Sequence, residues 1–141
     1  MPPNMITLKE LRQKRKRLKS IFMTAQKMMM AESSIYLNKK ASLTDTTNTT
    51  VYTVPADSRA IVKSLLVAED AAGAAVVKVT LTNSSGTAFV VDNNVSLSAN
   101  EKEQVLSEPL IMEESEILKA QATSGAVDVI ASVLEINRED R

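Results

Sequence analysis

A group of glutamates between residues 101 and 116 contains the side chains most suited to chemistry in this sequence. They are Glu101, Glu103, Glu108, Glu113, Glu114 and Glu116. Clustered carboxylates can bind calcium or act as an acid and base pair, but this spacing matches no calcium-binding loop. We interpret the run from Glu113 to Glu116 as a solvated turn between two strands. Alternatively, these glutamates form an acidic edge on which the basic arm of a neighbouring copy docks. Neither interpretation predicts a metal site.

The hydroxyl side chains lack the partners that catalysis requires. A serine or threonine nucleophile needs an activating base, and the 141-residue chain contains no histidine and no cysteine. It has three glycines and no nucleophile-elbow motif, no phosphate-binding glycine loop and no Ser-x-x-Lys motif close to a second signature. We therefore predict a protein that is not an enzyme, with no catalytic residue, no cofactor and no small-molecule substrate.

Positive charge is concentrated at the start of the chain, most strongly in the run Lys14-Arg15-Lys16-Arg17. Residues 1–40 contain ten basic and two acidic residues, whereas the rest contains seven basic and fifteen acidic residues, so the neutral total combines +8 with −8. Opposite charges on two parts of one small protein favour head-to-tail contact between copies or contact with a negatively charged partner. The charge pattern therefore indicates assembly.

The basic run lies within a predicted helix that extends from about Leu8 to about Ala31. Thr7 and Glu10 have the spacing of a capping box, which satisfies free backbone N–H groups at a helix start. Apolar residues then recur at alternating intervals of three and four, with Arg15 in one apolar position. These apolar residues are Leu8, Leu11, Leu18, Phe22, Ala25 and Met29.

The second half of this helix is rich in methionine, a flexible side chain that suits adaptable contact surfaces. We therefore predict that the helix docks on a neighbouring subunit, with apolar residues supplying affinity and basic residues orienting the encounter. The predicted partner-binding residues are Arg12, Lys14, Arg15, Lys16, Arg17, Leu18, Lys19, Ile21, Phe22, Met28 and Met29. Three alternatives remain open: packing on its own domain, binding at a membrane surface, and a nonspecific contact with nucleic acid.

Two of these alternatives are weakened by the composition of the arm. Aromatic residues that could stack on bases are absent from it apart from Phe22, which leaves only a backbone contact with DNA. No run of about 20 apolar residues is present, so we predict no membrane partner. A signal peptide is not expected either, because Thr24, Gln26 and Lys27 interrupt the apolar segment Ile21–Met30.

After the polar segment Thr44–Thr50, the spacing of apolar residues changes from a helical period to a period of two. The segments predicted as strands are 51–55, 60–67, 76–81, 88–91, 95–97, 104–112, 117–123 and 126–136. Turn signals separate them at 70–73, 83–86, 92–94, 99–101 and 124–125. This pattern predicts a mainly β fold, an antiparallel β-sandwich or jelly roll of about eight strands. The predicted division is a basic amphipathic helical arm at 1–43 and the sandwich at 44–141.

Several strand sequences resemble those of small β-sandwich virion proteins of tailed bacteriophages. The resemblance covers about Val51 to Ile136 and rests on the opening strand Val51–Pro55, the strand Arg59–Ser64 and the closing strand Val127–Ile136. It is also carried by the Asn-Ser-Ser-Gly turn after a valine-rich strand. Where that family usually has a Gly-Asp turn before its penultimate strand, this chain has Glu114-Ser115-Glu116.

The resemblance implies a structural component of a virion, made in the host cytoplasm and present in several symmetric copies. Its partners would be other copies of itself and other virion proteins, in a capsid decoration, a neck, a tail or a fibre attachment. A host-recognition or fibre-attachment module is the alternative, and the small number of aromatic residues available to stack on sugars argues against it.

Overall fold

The structure is a computed structural model that describes residues 7–29 and 32–138, apart from the side chains of residues 25–29 and 32. The described residues form one helix and nine strands. In chain order the elements are α1 (Leu8–Met29), β1 (Glu32–Leu43), β2 (Thr49–Thr53), β3 (Ser58–Glu69), β4 (Ala75–Thr82), β5 (Ala88–Leu97), β6 (Lys102–Gln104), β7 (Leu110–Met112), β8 (Ile117–Ser124) and β9 (Val127–Arg138). The predicted helix is confirmed from Leu8 through Met29, and its predicted end at Ala31 lies outside the described residues.

The strands form two antiparallel sheets. In the first sheet β9 lies between β1 and β3, and β6 and β7 both pair with the far side of β3. In the second sheet the order is β2, β8, β4, β5. This is the strand order of an eight-stranded jelly roll whose sixth strand is divided into two short pieces, β6 and β7. The predicted fold class, a mainly β antiparallel sandwich or jelly roll with an N-terminal helical arm, is confirmed.

The first strand corrects the extent of the predicted helical arm. Residues 32–43 are not helical: they form β1, which pairs with β9 from Glu32↔Arg138 to Leu43↔Val127. The segment has a period of two, with Leu37, Ala41 and Leu43 directed to the core. The alternate positions are filled by Tyr36, Asn38, Lys40 and Ser42, and Lys39 interrupts the core-facing series, so the segment is too polar to stand out as a strand. The sheet therefore begins at residue 32, shortly after the helix ends.

Two predicted strand boundaries also differ from the structure. The turn expected at Asp92-Asn93-Asn94 is absent, because β5 runs continuously from Ala88 to Leu97 and accommodates these residues at irregularities in its pairing with β4. Such irregularities are β-bulges, in which polar residues with turn propensity fit an otherwise regular strand. The single strand expected at 104–112 is instead two strands, since Pro109 cannot donate to a ladder.

The hydrophobic core lies between the two sheets. Alternate residues of the central strands point inward and are almost fully buried, as the period of two requires. The largest of these side chains include Leu43, Val62, Leu65, Val67, Met112, Leu118, Val129 and Val133. The described side chains of α1, from Leu8 to Thr24, are all exposed, so none of them contributes to this core.

Gly125, in the tight turn between β8 and β9, is a position that only glycine fits. Its φ of +76° lies in the left-handed region, and an added Cβ would lie 2.7 Å from the carbonyl oxygen of Ala74. Both this backbone conformation and the close approach of Ala74 and Ala75 in the same polypeptide exclude a larger residue.

Candidate interaction surface

The helix α1 begins where local hydrogen bonds predict. The Thr7 N–H donates to Glu10 Oε2 and the Glu10 N–H donates to Thr7 Oγ1, each at 3.3 Å, so the expected capping box is present. The negative charge of Glu10 in the first turn is also favourable for the helix dipole. The start of the helix is therefore specified by its own local sequence.

The apolar residues of α1 are exposed to an extent that is unusual for side chains of this size. Leu11, Leu18 and Phe22 are 56%, 67% and 65% exposed, and their spacing places them along one side of the helix. Ile21, on an adjacent side, is 66% exposed. A stripe of this kind normally packs against another element. Among the described residues of this chain, no other element packs against the apolar stripe of α1.

The structure places all the predicted partner-binding residues on this one helix. Those with described side chains are exposed: Arg12, Lys14, Arg15, Lys16, Arg17, Leu18, Lys19, Ile21 and Phe22. Met28 and Met29 also belong to α1, but their side chains lie outside the description. Among the described side chains, the ion pair that forms joins Arg59 to Glu113 and involves none of these cations. Their contact with a partner stays a prediction.

A second exposed apolar surface lies on the outer face of the first sheet. The strand register places Tyr36 of β1 opposite Leu134 of β9, Leu134 opposite Ile61 of β3, and Ile61 opposite Ile111 of β7. We call these four residues the outer row. Each has at least one core-facing neighbour in sequence, namely Leu37, Val133, Ala60 and Val62, or Leu110 and Met112, so all four lie on the opposite face of the sheet. Tyr36 and Ile111, at the two ends of the outer row, are 77% and 65% exposed.

Sequence reasoning missed the outer row. Its members come from four different strands. Tyr36 and Ile111 are exposed, Ile61 and Leu134 between them are half-buried, and none of the four is unusual by itself. Only the register joins them into a surface. In the strand sequences Ile61, Ile111 and Leu134 appear within continuous apolar runs, and no local signal marks the outward residues.

The glutamates considered first in the sequence lie along the edge of the same sheet, on β6, β7 and the adjoining turns. Glu116 Oε2 accepts the Glu113 N–H at 2.8 Å, and Ser115 between them has a φ of +66°. Glu113 also pairs with Arg59 at 2.8 Å, between two side chains that are both more than half exposed. These contacts are those of a turn, as the sequence predicted. Among residues 7–29 and 32–138, no group of three acidic side chains is arranged to hold a metal ion.

Glu69, at the end of β3, is a structural carboxylate that sequence reasoning also missed. It is 7% exposed, and it accepts the N–H groups of Ala71 and Gly73 in one turn and of Asn100 in another, at 2.5, 3.1 and 2.7 Å. The hydrogen bond from Asn100 is the largest of the effects that lower the pKa of the Glu69 carboxyl, and burial opposes them. The residue joins two loops at one end of the sandwich.

A second polar contact joins the two sheets. The Tyr52 hydroxyl of β2 donates to Glu135 Oε2 of β9 at 2.7 Å, and the Lys39 ammonium of β1 lies 5.9 Å from the centre of the tyrosine ring. Burial, followed by the hydrogen bond to Glu135 and its negative charge, raises the pKa of the Tyr52 hydroxyl well above its ordinary value. The arrangement satisfies a buried hydroxyl and joins the two sheets.

Comparison with known proteins yields matches in structure and none in sequence. No protein-family model matches the chain, and no curated protein matches it significantly. A subunit of Bacillus endospore appendages, described as a novel family of disulfide-linked pili, superposes with a TM-score of 0.52 at 10% identity. That match covers 78% of this chain and 90% of the subunit. It shows a shared fold.

Two viral proteins are more distant in structure. A protein of infectious bursal disease virus, Gx strain, has a TM-score of 0.40 at 12% identity, over 74% of this chain and 32% of its own length. A protein from the virus-like particle of the extra small virus of the prawn Macrobrachium rosenbergii has a TM-score of 0.34 at 15% identity. That match covers 77% of this chain and 81% of the viral protein.

Within the described part of the chain, no helix is long and apolar enough to cross a membrane.

Proposed function

We propose that this protein is a non-enzymatic structural subunit that assembles with copies of itself, and that α1 docks on a neighbouring subunit. The observation that carries the proposal is the contrast in burial between the two parts of the molecule. The sandwich encloses its core without help from the described side chains of α1, while Leu18, Ile21 and Phe22 remain about two-thirds exposed. Apolar surface of that extent favours burial against a second molecule.

Contacts of the apolar residues would supply most of the affinity, because full burial of one such side chain contributes about 1.5–3 kcal/mol. The cations from Arg12 to Lys19 would act mainly on the rate and register of the encounter. Identical subunits joined head to tail form a closed ring when the rotation between them closes. We therefore propose a symmetric ring as the assembled form.

The shared fold with the Bacillus appendage subunit supports a structural role, since that subunit belongs to a pilus. Those pili are described as disulfide-linked, whereas this chain contains no cysteine. We therefore propose that subunits of this protein are held together by noncovalent contacts alone. The resemblance of Val51–Ile136 to virion proteins of tailed bacteriophages supports a virion as the site of assembly, in a capsid decoration, neck, tail or fibre base.

Light scattering of the purified full-length chain tests this proposal. The wild type is compared with a Leu18→Asp/Phe22→Asp variant, in which both substitutions are at exposed positions of α1 and leave the core intact. Phe89→Asp is the matched control, because Phe89 is 54% exposed but lies on β5 of the other sheet. We expect an oligomer for the wild type and the control, and a monomer for the α1 variant. A wild type that is monomeric at every concentration would contradict the proposal.

A further inference from the structure

We propose that the outer row and the acidic edge beside it form the surface on which α1 of a second copy docks. This inference depends on the proposed function, in which α1 joins like subunits, and it identifies the receiving surface. The surface lies on the first sheet and includes Tyr36, Leu134, Ile61 and Ile111. The apolar second half of α1 would lie on the outer row, and the basic first half would lie along the acidic edge.

The size of the outer row fits a helix. Neighbouring strands lie about 4.8 Å apart, so four side chains on adjacent strands span roughly 14 Å. An α-helix with its side chains is about 10 Å across. Ile136, two residues along β9 from Leu134, is half-buried and extends the apolar surface along the strands. The surface is therefore wide enough to cover the stripe that includes Leu18 and Phe22.

The charges of the two surfaces are complementary. The outer row ends at Ile111 on β7, and the edge formed by β6, β7 and their turns carries six carboxylates and the single cation Lys102. Arg59, the cation nearest this end of the outer row, is already paired with Glu113. On α1, Arg15 precedes Phe22 by seven residues, or about 10 Å along the helix axis. A helix whose Phe22 rests on the outer row can thus place its basic segment against the acidic edge.

Pairing of α1 with α1 of a second copy would be less favourable than docking on the outer row. The alternating spacing of three and four is that of a coiled-coil seam, but Arg15 occupies one seam position and Lys14 and Lys19 flank it. Two parallel copies would bring these like charges together. Repulsion between them favours a receiving surface of opposite charge, which the acidic edge supplies.

The absence of cysteine from the natural chain allows a direct test by cross-linking. One preparation carries Phe22→Cys and a second, differently tagged, carries Ile111→Cys, and the two are mixed under oxidising conditions. A disulfide forms only where the two Cα atoms approach within about 7 Å. The control replaces Ile111→Cys with Phe89→Cys. We expect a covalent dimer of the two tagged chains with Ile111→Cys and little or none with Phe89→Cys.

Substitution of the receiving surface supplies a second measurement. We expect the Tyr36→Asp/Ile111→Asp variant to weaken self-association by at least about tenfold, because two apolar contacts are lost and two carboxylates would have to leave water against the apolar stripe of α1. Phe89→Asp should change it by less than about twofold. Circular dichroism and the unfolding midpoint confirm that each variant retains its fold, as expected for substitutions at exposed positions.

The outcomes separate this inference from the proposed function. If the Leu18→Asp/Phe22→Asp variant is monomeric but the cross-link forms equally with Phe89→Cys, the receiving surface is wrong and the proposed function stands. If α1 substitutions leave the oligomer unchanged, both are wrong. A chain carrying Phe22→Cys and Ile111→Cys together that closes a disulfide within itself, with none between chains, would show that the outer row receives its own arm.

Discussion

The helix and the sandwich of this protein bury their apolar residues to opposite degrees. Leu65 in β3 is 0% exposed, whereas Leu18 in α1 is 67% exposed, although the two side chains are identical. The sandwich has a complete core that is shared between its two sheets. The arm has a helix that its own sequence begins and caps, together with an apolar stripe that nothing in the described chain covers.

This contrast indicates that the two regions serve different requirements. The sandwich residues are selected for the stability of one subunit, since removal of any large core side chain leaves a cavity. The exposed residues of α1 contribute little to that stability and retain their apolar character for another reason. The association with a second molecule proposed above would account for their size, their spacing and the charges beside them.

The largest expected effect comes from truncating the same residue type in the two regions. We expect Leu65→Ala to lower the free energy of unfolding by about 2–5 kcal/mol, through lost burial and a cavity. Leu18→Ala should change it by less than about 0.5 kcal/mol. Denaturant unfolding at protein concentrations low enough to keep the subunit monomeric measures both values. An equal loss for the two variants would mean that α1 packs on its own sandwich.

A second effect concerns the carboxylate that joins two loops of the sandwich. Because Glu69 has a lowered pKa in the folded state, its stabilising contribution is present above its ordinary pKa of 4.5 and is lost as the pH falls through the folded value. We expect Glu69→Gln to lower the thermal midpoint at neutral pH and to converge with the wild type in acid. The matched control is Glu114→Gln, at an exposed turn position, for which we expect an unchanged thermal midpoint at neutral pH.

A smaller effect is expected at the contact between the sheets. Tyr52→Phe removes the hydroxyl that donates to Glu135 and retains the aromatic ring under Lys39. We expect a loss of about 1.5–3 kcal/mol in the free energy of unfolding, the range for one hydrogen bond to a charged group. Chemical denaturation measures it, and self-association should be unchanged. A weakened oligomer would show that this end of the sandwich takes part in assembly.

The smallest effect should be a gain in stability. The Thr80 hydroxyl of β4 is buried and has no hydrogen-bond partner among the described residues. Thr80→Val replaces it with a methyl group of similar shape, and we expect the free energy of unfolding to rise by about 1 kcal/mol. The same denaturant titration detects it. A decrease would indicate that the hydroxyl contacts a bound water.

Much of the fold could be predicted from the sequence because the sandwich strands follow a local rule. The central strands alternate apolar and other residues, and turns rich in glycine, asparagine and aspartate separate most of them. The alternation of apolar residues failed to predict the strands whose formation depends on pairing with a distant strand. β1 is a polar edge strand that becomes a strand through pairing with β9, and β5 retains Asp92-Asn93-Asn94 by bulging against β4.

The candidate interaction surface could be predicted only in part. The residues of α1 are contiguous and periodic, so their positions on an exposed helix followed from spacing. The outer row and the contacts of Glu69 depend on register across strands, and Glu69 meets Asn100 from 31 residues away. No pattern within a single segment carries that information.

Only two residues separate α1 from β1 in the sequence, so a load on α1 in the proposed assembly would pass to β1. Tension on an engaged arm enters the sandwich at Glu32, the first residue of a strand that is paired with β9 along its whole length. Because antiparallel hydrogen bonds lie perpendicular to the strands, a pull along β1 shears all of them together, whereas a pull across the sheet breaks them one pair at a time. In the proposed assembly, the direction in which the arm leaves its neighbour would therefore set the force that the contact between subunits withstands.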